Sequence, residues 1–179
     1  MKPDIKTVYD ELFRKAELKY SLPKGMVKAI AYCEGDPPYN PNSYRFEPAY
    51  WDRYMKNNPT WAKREPSEVS ASYGLMQVMY DVAWKYGFRG KTTELYDPAT
   101  SIEYGSRYFR EILDEAIKEI LYLKIPYLTP MRVALARYNG GPTGNPDKGG
   151  ALRNEPYVDK VMAAWTKIHF NPVGDEVTA

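Results

Sequence analysis

Apolar residues recur at helical spacing along most of the chain, and nowhere do they alternate over a run convincing enough for a strand. The sequence therefore points to a mainly α fold of five or six helices. The longest stripe, Ile102, Gly105, Phe109, Ile112, Ala116 and Ile120, is the inner face of a helix opened by Asp97-Pro98, an N-cap followed by a proline at the first helical position. Thr129-Pro130 repeats that start signal before Met131, Ala134, Leu135 and Tyr138, and Gly140-Gly141-Pro142 stops the helix just after Tyr138. Ile5, Val8, Tyr9, Leu12 and Ala16 form a first stripe. Met26, Val27, Ile30 and Ala31, after Pro23, form a second, and Val158, Val161, Met162, Trp165 and Ile168, after Pro156, form the last. Gly74 to Tyr86 reads as a short helix, Thr143 to Gly150 as a glycine-rich loop, and residues 171–179 as a flexible tail.

Residues 39–70 break the pattern. They are rich in Pro, Asn and aromatics, with one short helical candidate from Pro48 to Lys56 that carries Tyr50, Trp51 and Tyr54. A connection of this length suits a lid or cleft wall as well as a peripheral insertion, and it has room for a small hairpin. With 179 residues, of which 44% are apolar and 15% aromatic, the chain has enough material for one core, so a single globular domain over residues 1–170 is expected.

Composition removes several kinds of chemistry. Lys and Arg number 25 against 23 Asp and Glu, a net charge of +2, too even to mark a nucleic-acid surface as the partner. Cys33 is the only cysteine, which excludes an intrachain disulfide, and without a histidine motif beside it Cys33 reads as a small buried apolar residue. His169 is the only histidine, which disfavours histidine-based triads and multi-histidine metal sites. Met1-Lys2-Pro3-Asp4 leads into an amphipathic segment rather than a long apolar run, so neither a signal peptide nor a membrane span is expected there. The chemistry left to the chain rests on carboxylates and tyrosines, of which there are 17 beside four Trp. Flat rings with polar edges suit the alternately apolar and hydroxylated faces of sugars.

Glu34 is the carboxylate with the most informative place. It stands seven positions after Val27 and four after Ile30, so its side chain leaves the face that the second helix buries, and Gly35-Asp36-Pro37-Pro38 then stop that helix. Desolvation disfavours the charged form of a carboxyl, and a glutamate at the end of an oily face can hold a proton near neutral pH.

Glu34, the block Gly74-Leu75-Met76-Gln77, the block Ala136-Arg137-Tyr138-Asn139-Gly140-Gly141 and the run Tyr157-Val158-Asp159-Lys160-Val161 occur in an order that resembles the soluble-lytic-transglycosylase (SLT) type of lytic transglycosylase, related to goose-type lysozyme. The resemblance spans roughly Val8 to Trp165 and implies a lysozyme-like fold. It also implies cleavage of the β-1,4 bond between N-acetylmuramic acid and N-acetylglucosamine in peptidoglycan, leaving 1,6-anhydromuramic ends. It makes Glu34 the catalytic acid and then base, and it implies no metal and no organic cofactor. It assigns Gly74, Met76 and Gln77 to saccharide binding, with backbone approach at Gly74 and an amide offered by Gln77. Tyr138 is placed near the acid, where it can hydrogen-bond the glutamate or the sugar, with Asn139 fixing the loop and Tyr157 lining the cleft.

The sequence departs from the family pattern in three places. Gly35 stands where a serine usually follows the acid, the interval from Glu34 to Gly74 is long, and Tyr80 and Val82 replace the usual Pro and Thr after the Gly-Leu-Met-Gln block. The long interval contains Arg45-Phe46-Glu47-Pro48, so Glu47 is a further candidate: paired with Arg45 or another cation, binding sugar, or acting as a second carboxylate. An inverting hydrolase needs such a base roughly 6.5 to 9.5 Å from the acid, which makes a hydrolytic muramidase or phage lysin the second reading. A saccharide-binding module without turnover is the third. The implied partner is peptidoglycan glycan, met outside the cytoplasmic membrane by a chain expected to act as a monomer.

Overall fold

Two helices open the fold in the computed structural model, which describes residues 8–123, 128–141, 152 and 154–170: α1 (Asp10–Lys19) and α2 (Met26–Glu34). In α1 the buried positions are Phe13, Ala16 and Glu17, while Val8 is 91% exposed. The stripe expected from sequence is thus displaced, because the helix begins at Asp10 and Val8 precedes it; Ile5 lies outside the described residues. Helix α2 buries Met26, Val27, Ile30 and Ala31 as expected. Its N-terminus is capped from α1, where the buried Glu17 carboxylate accepts the N–H groups of Gly25 at 2.9 Å and Val27 at 3.0 Å. Burial pushes the Glu17 carboxyl above its ordinary value, and the backbone donors oppose that rise.

The 39–70 segment holds β1 (Tyr44–Phe46), α3 (Pro48–Tyr50) running into a π-helical turn over Trp51–Met55, and α4 (Pro66–Val69). Strand β1 pairs antiparallel with β2 (Ala71–Tyr73), and β2 with β3 (Val78–Met79). Tyr44 lies opposite Tyr73, and Ser72 opposite Met79. The hairpin allowed for within 39–70 is therefore a three-stranded sheet with only β1 inside that segment. Trp61, buried, ties the segment to the rest of the fold through edge-to-face contacts with Tyr80 and Trp84 at ring separations of 6.1 and 5.6 Å.

Residues 74–77 make the turn between β2 and β3, and the helix expected over Gly74 to Tyr86 is only α5 (Tyr80–Lys85). Gly74 at φ +71° and Gln77 at φ +45° occupy left-handed backbone, which an α-helix cannot propagate through. A 3-10 turn over Thr92–Tyr96 leads to α6 (Pro98–Leu123), where Asp97 accepts the Thr100 N–H at 2.8 Å. Helices α7 (Pro130–Gly140) and α8 (Glu155–Phe170) complete the described chain.

Helix α6 is the spine. It is flanked by α7, α1 and α5, while α8 lies across α2 and α7. Phe13, Ile30, Leu75, Phe109, Leu135 and Val158 meet in one core, each contributing roughly 1.5–3 kcal/mol by leaving water. The result is a mainly α fold with a small antiparallel sheet, and the sheet, the 39–70 segment and the ends of α2 and α7 enclose a cleft. The loop expected over Thr143 to Gly150 and the tail at 171–179 lie outside the described residues.

Candidate active site

Because α2 and α8 pack together, the end of one helix faces the start of the other. Glu34 is the last residue of α2, and Tyr157, in the first turn of α8, donates its hydroxyl to Glu34 Oε1 at 2.5 Å. One turn further along α8, Lys160 donates to the Cys33 carbonyl at 3.1 Å, placing a cation at the negative end of α2. Glu34 keeps some exposure on the side of the cleft, yet the surrounding protein strips enough water to push its pKa above the usual carboxylate value. The Tyr157 phenol, the Arg45 guanidinium and the Lys160 ammonium pull in the opposite direction, in that order. The site thus favours the protonated acid while holding groups that stabilise the carboxylate once the proton leaves.

Cys33 is buried, with burial pushing its thiol up to about 11, as befits an inert packing residue. Gly35 fits tightly under the following loop: a Cβ there would lie 2.9 Å from the Pro37 carbonyl and 3.0 Å from the Asn40 nitrogen. The serine usual in this place has no room, and Tyr157 supplies the hydroxyl that meets Glu34.

The cleft holds a cavity of about 630 Å³. Glu34, Glu47, Gln77, Tyr138 and Asn139 all line it. Glu47 receives Arg45 Nε at 2.5 Å, so its carboxylate is already paired. Gln77 spends its amide N–H groups on the carbonyls of Ser43 and Gly74, both at 3.1 Å, which leaves its oxygen as the acceptor available to the cleft. Those bonds also hold Gln77 in its left-handed backbone, a conformation costing on the order of 1 kcal/mol. Asn139 accepts from Asn154 at 3.2 Å, and Asn154 also donates to the Ala136 carbonyl at 2.7 Å, linking the end of α7 to the entry of α8.

Four expectations need correction. Met76 is fully buried in the core, because its turn presses against α6, and only its backbone reaches a site residue: its carbonyl accepts the Tyr138 hydroxyl at 2.7 Å. Tyr138 accordingly donates to Met76 rather than to Glu34, while still lining the cavity near Glu34. Tyr157, which holds Glu34, does not line the cavity, and nor does Gly74. A Cβ on it would come within 2.3 Å of the Leu95 carbonyl and 2.8 Å of Ser101 Oγ, so glycine serves close packing and a left-handed φ there rather than saccharide approach.

Several lining residues carried no motif. Arg45 enters on β1, Tyr50, Arg53 and Tyr54 on α3 and its π-helical turn, and Tyr108 on α6. The aromatic content of 39–70 was the available signal for the tyrosines. Behind the wall Asp81, its carboxyl raised by burial, accepts the Tyr50 hydroxyl at 2.6 Å and anchors that segment to α5. Nothing in its local sequence marks this role.

Replacing Tyr157 with Phe keeps the packing on α2 and removes the donor to Glu34. We expect kcat to fall about tenfold, the size of one hydrogen bond to a charged group. The alkaline limb of the pH–rate profile should move upward, because the carboxylate loses its largest stabilising contact. A profile superimposable on the wild type would show that Tyr157 only packs.

Fold and site together define a lysozyme-like, mainly α domain with one partly desolvated glutamate at the rim of a tyrosine-lined cleft. The chain belongs to the transglycosylase SLT domain family, whose model matches residues 11–156, a span containing Glu34, Gln77, Tyr138 and Asn139 and ending one residue before Tyr157. Comparison with curated proteins and with solved structures gave no match. The family relates the chain to lytic transglycosylase action on peptidoglycan, a substrate outside the cytoplasmic membrane. Among the described residues no helix is long and apolar enough to cross a membrane, and no group of three or more His, Cys, Asp or Glu is placed to hold a metal ion.

Proposed function

We propose that this protein is a peptidoglycan lytic transglycosylase that uses Glu34 as its single acid and base, acting as a monomer on the bond between N-acetylmuramic acid and N-acetylglucosamine. The observation that carries this reading is the Glu34 environment: a carboxyl whose pKa is raised by burial, open to the cleft, with a phenol on one oxygen. Glu34 gives its proton to the glycosidic oxygen as the C1–O bond breaks, and the departing sugar leaves with a new hydroxyl. The resulting carboxylate is held by Tyr157, with Arg45 and Lys160 lowering its energy. It then takes the proton of the muramic C6 hydroxyl while that oxygen bonds to C1, closing the 1,6-anhydro ring and restoring the acid. No water is consumed. Tyr50 and Tyr54, rings 4.8 Å apart and tilted by 53° to one another on the cleft wall, offer aromatic faces for the sugar to stack on.

A hydrolase would need a second, available carboxylate to activate water. Glu47 lines the same cavity, but its ion pair with Arg45 opposes that role and favours the one-acid route. Mass spectrometry of fragments released from purified peptidoglycan tests the choice. Anhydro ends, lighter than reducing ends by one water, are expected. Reducing ends would establish a hydrolase, and an absence of products would leave a saccharide-binding module.

A further inference from the structure

The 39–70 segment brings two arginines to the cleft that contains Glu34. Arg45 and Arg53 are both well exposed and both line the cavity. Their charges are not balanced. Glu47 pairs with Arg45, whereas Arg53 makes no ion pair with any described residue and lies only 5.9 Å over the ring of Tyr54. Glu34 aside, the cleft lining sets two guanidinium groups against the single Glu47 carboxylate. A neutral sugar gives no reason for an unpaired guanidinium beside its stacking surface. A carboxylate does, since the planar fork of arginine matches its two oxygens.

We infer that Arg53, assisted by Arg45, forms a carboxylate-reading rim that selects glycan bearing acidic substituents over neutral glycan. This rests on the proposed function only in taking peptidoglycan as the ligand. In that polymer a carboxylate has two sources: the lactyl group of muramic acid when the glycan is bare, and the peptide stem when the lactyl group is amidated. Arg45 keeps most of its five N–H donors beyond the one given to Glu47, and an arriving carboxylate can compete for the rest.

The test measures binding by titration calorimetry in a Glu34→Gln background, so that turnover does not enter. Three ligands are compared: neutral chitohexaose, glycan stripped of peptide, and peptide-bearing glycan. We expect at least one carboxylate-bearing glycan to bind more tightly than chitohexaose, with an advantage that shrinks as salt is raised. Adding Arg53→Gln should weaken that glycan by about tenfold and leave chitohexaose unchanged. Arg53→Lys, which keeps the charge and loses the fork, should recover only part of the loss. Loss confined to peptide-bearing glycan assigns the stem carboxylates, and loss with stripped glycan assigns the lactyl group. Equal affinity for all three ligands, or an equal effect of Arg53→Gln on all three, would overturn the rim and leave the enzyme reading intact. Failure to bind any glycan would overturn both.

Discussion

Glu34→Gln is expected to lower the rate of glycan cleavage on the order of 10³-fold while leaving the fold and glycan binding in place. Glutamine has the shape of glutamate, and its amide oxygen can still accept the Tyr157 hydroxyl, so the interface of α2 with α8 survives. What is lost is the acidic proton. The same substitution carries a pH signature. Burial raises the Glu34 pKa in the folded protein above the ordinary value of 4.5, so at pH values between the two the folded chain binds more protons than the unfolded chain. Stability therefore falls as pH rises from about 4.5 through the folded pKa, and beyond it the ionised carboxylate remains a net burden. Glutamine has no such titration. The variant should melt higher than the wild type at neutral pH, with the difference closing below the ordinary carboxylate pKa, while wild-type activity declines as pH rises through the folded pKa. Near-normal cleavage by Glu34→Gln would remove Glu34 from the acid role outright.

Glu17→Ala is expected to cost about 3 kcal/mol of stability, the largest loss anticipated away from the catalytic group. The Glu17 carboxylate is buried and accepts the Gly25 and Val27 N–H groups, and alanine would leave both donors in a dry environment with a cavity beside them. Glu17→Gln, which keeps one acceptor oxygen, should cost less. Urea denaturation gives the comparison. If Glu17→Ala falls within 0.5 kcal/mol of the wild type, a range typical of surface substitutions, the cap is not what fixes the start of α2.

Much of this was visible in the sequence where a pattern is local. Asp97-Pro98 and the stripe from Ile102 to Ala116 mark α6, and the spacing of Val27, Ile30 and Glu34 places the acid on a buried face. Strands of two and three residues are too short to display alternation, which hid the sheet. Gly74 and Gln77 sit in a segment whose composition suits a helix, and only their left-handed backbone reveals a turn. Nothing in the sequence marks Glu17, because a pattern of polar and apolar residues cannot show that a second helix presents its N-terminus to it. Gly74, Met76 and Tyr138 belong together, but through backbone packing and one hydroxyl-to-carbonyl bond rather than through shared exposure to the cleft. The place of Arg53 on the cleft depends on a π-helical turn that no residue type announces.

The bond between Tyr157 and Glu34 joins positions 123 residues apart. During synthesis Glu34 leaves the ribosome long before Tyr157, and closing so long a loop carries an entropic cost that the packing of the intervening chain must offset. A nascent or prematurely ended chain would carry the acid without its partner. On the proposed mechanism, cleavage would therefore also report that α8 has docked on α2, since only then does Glu34 meet the Tyr157 hydroxyl.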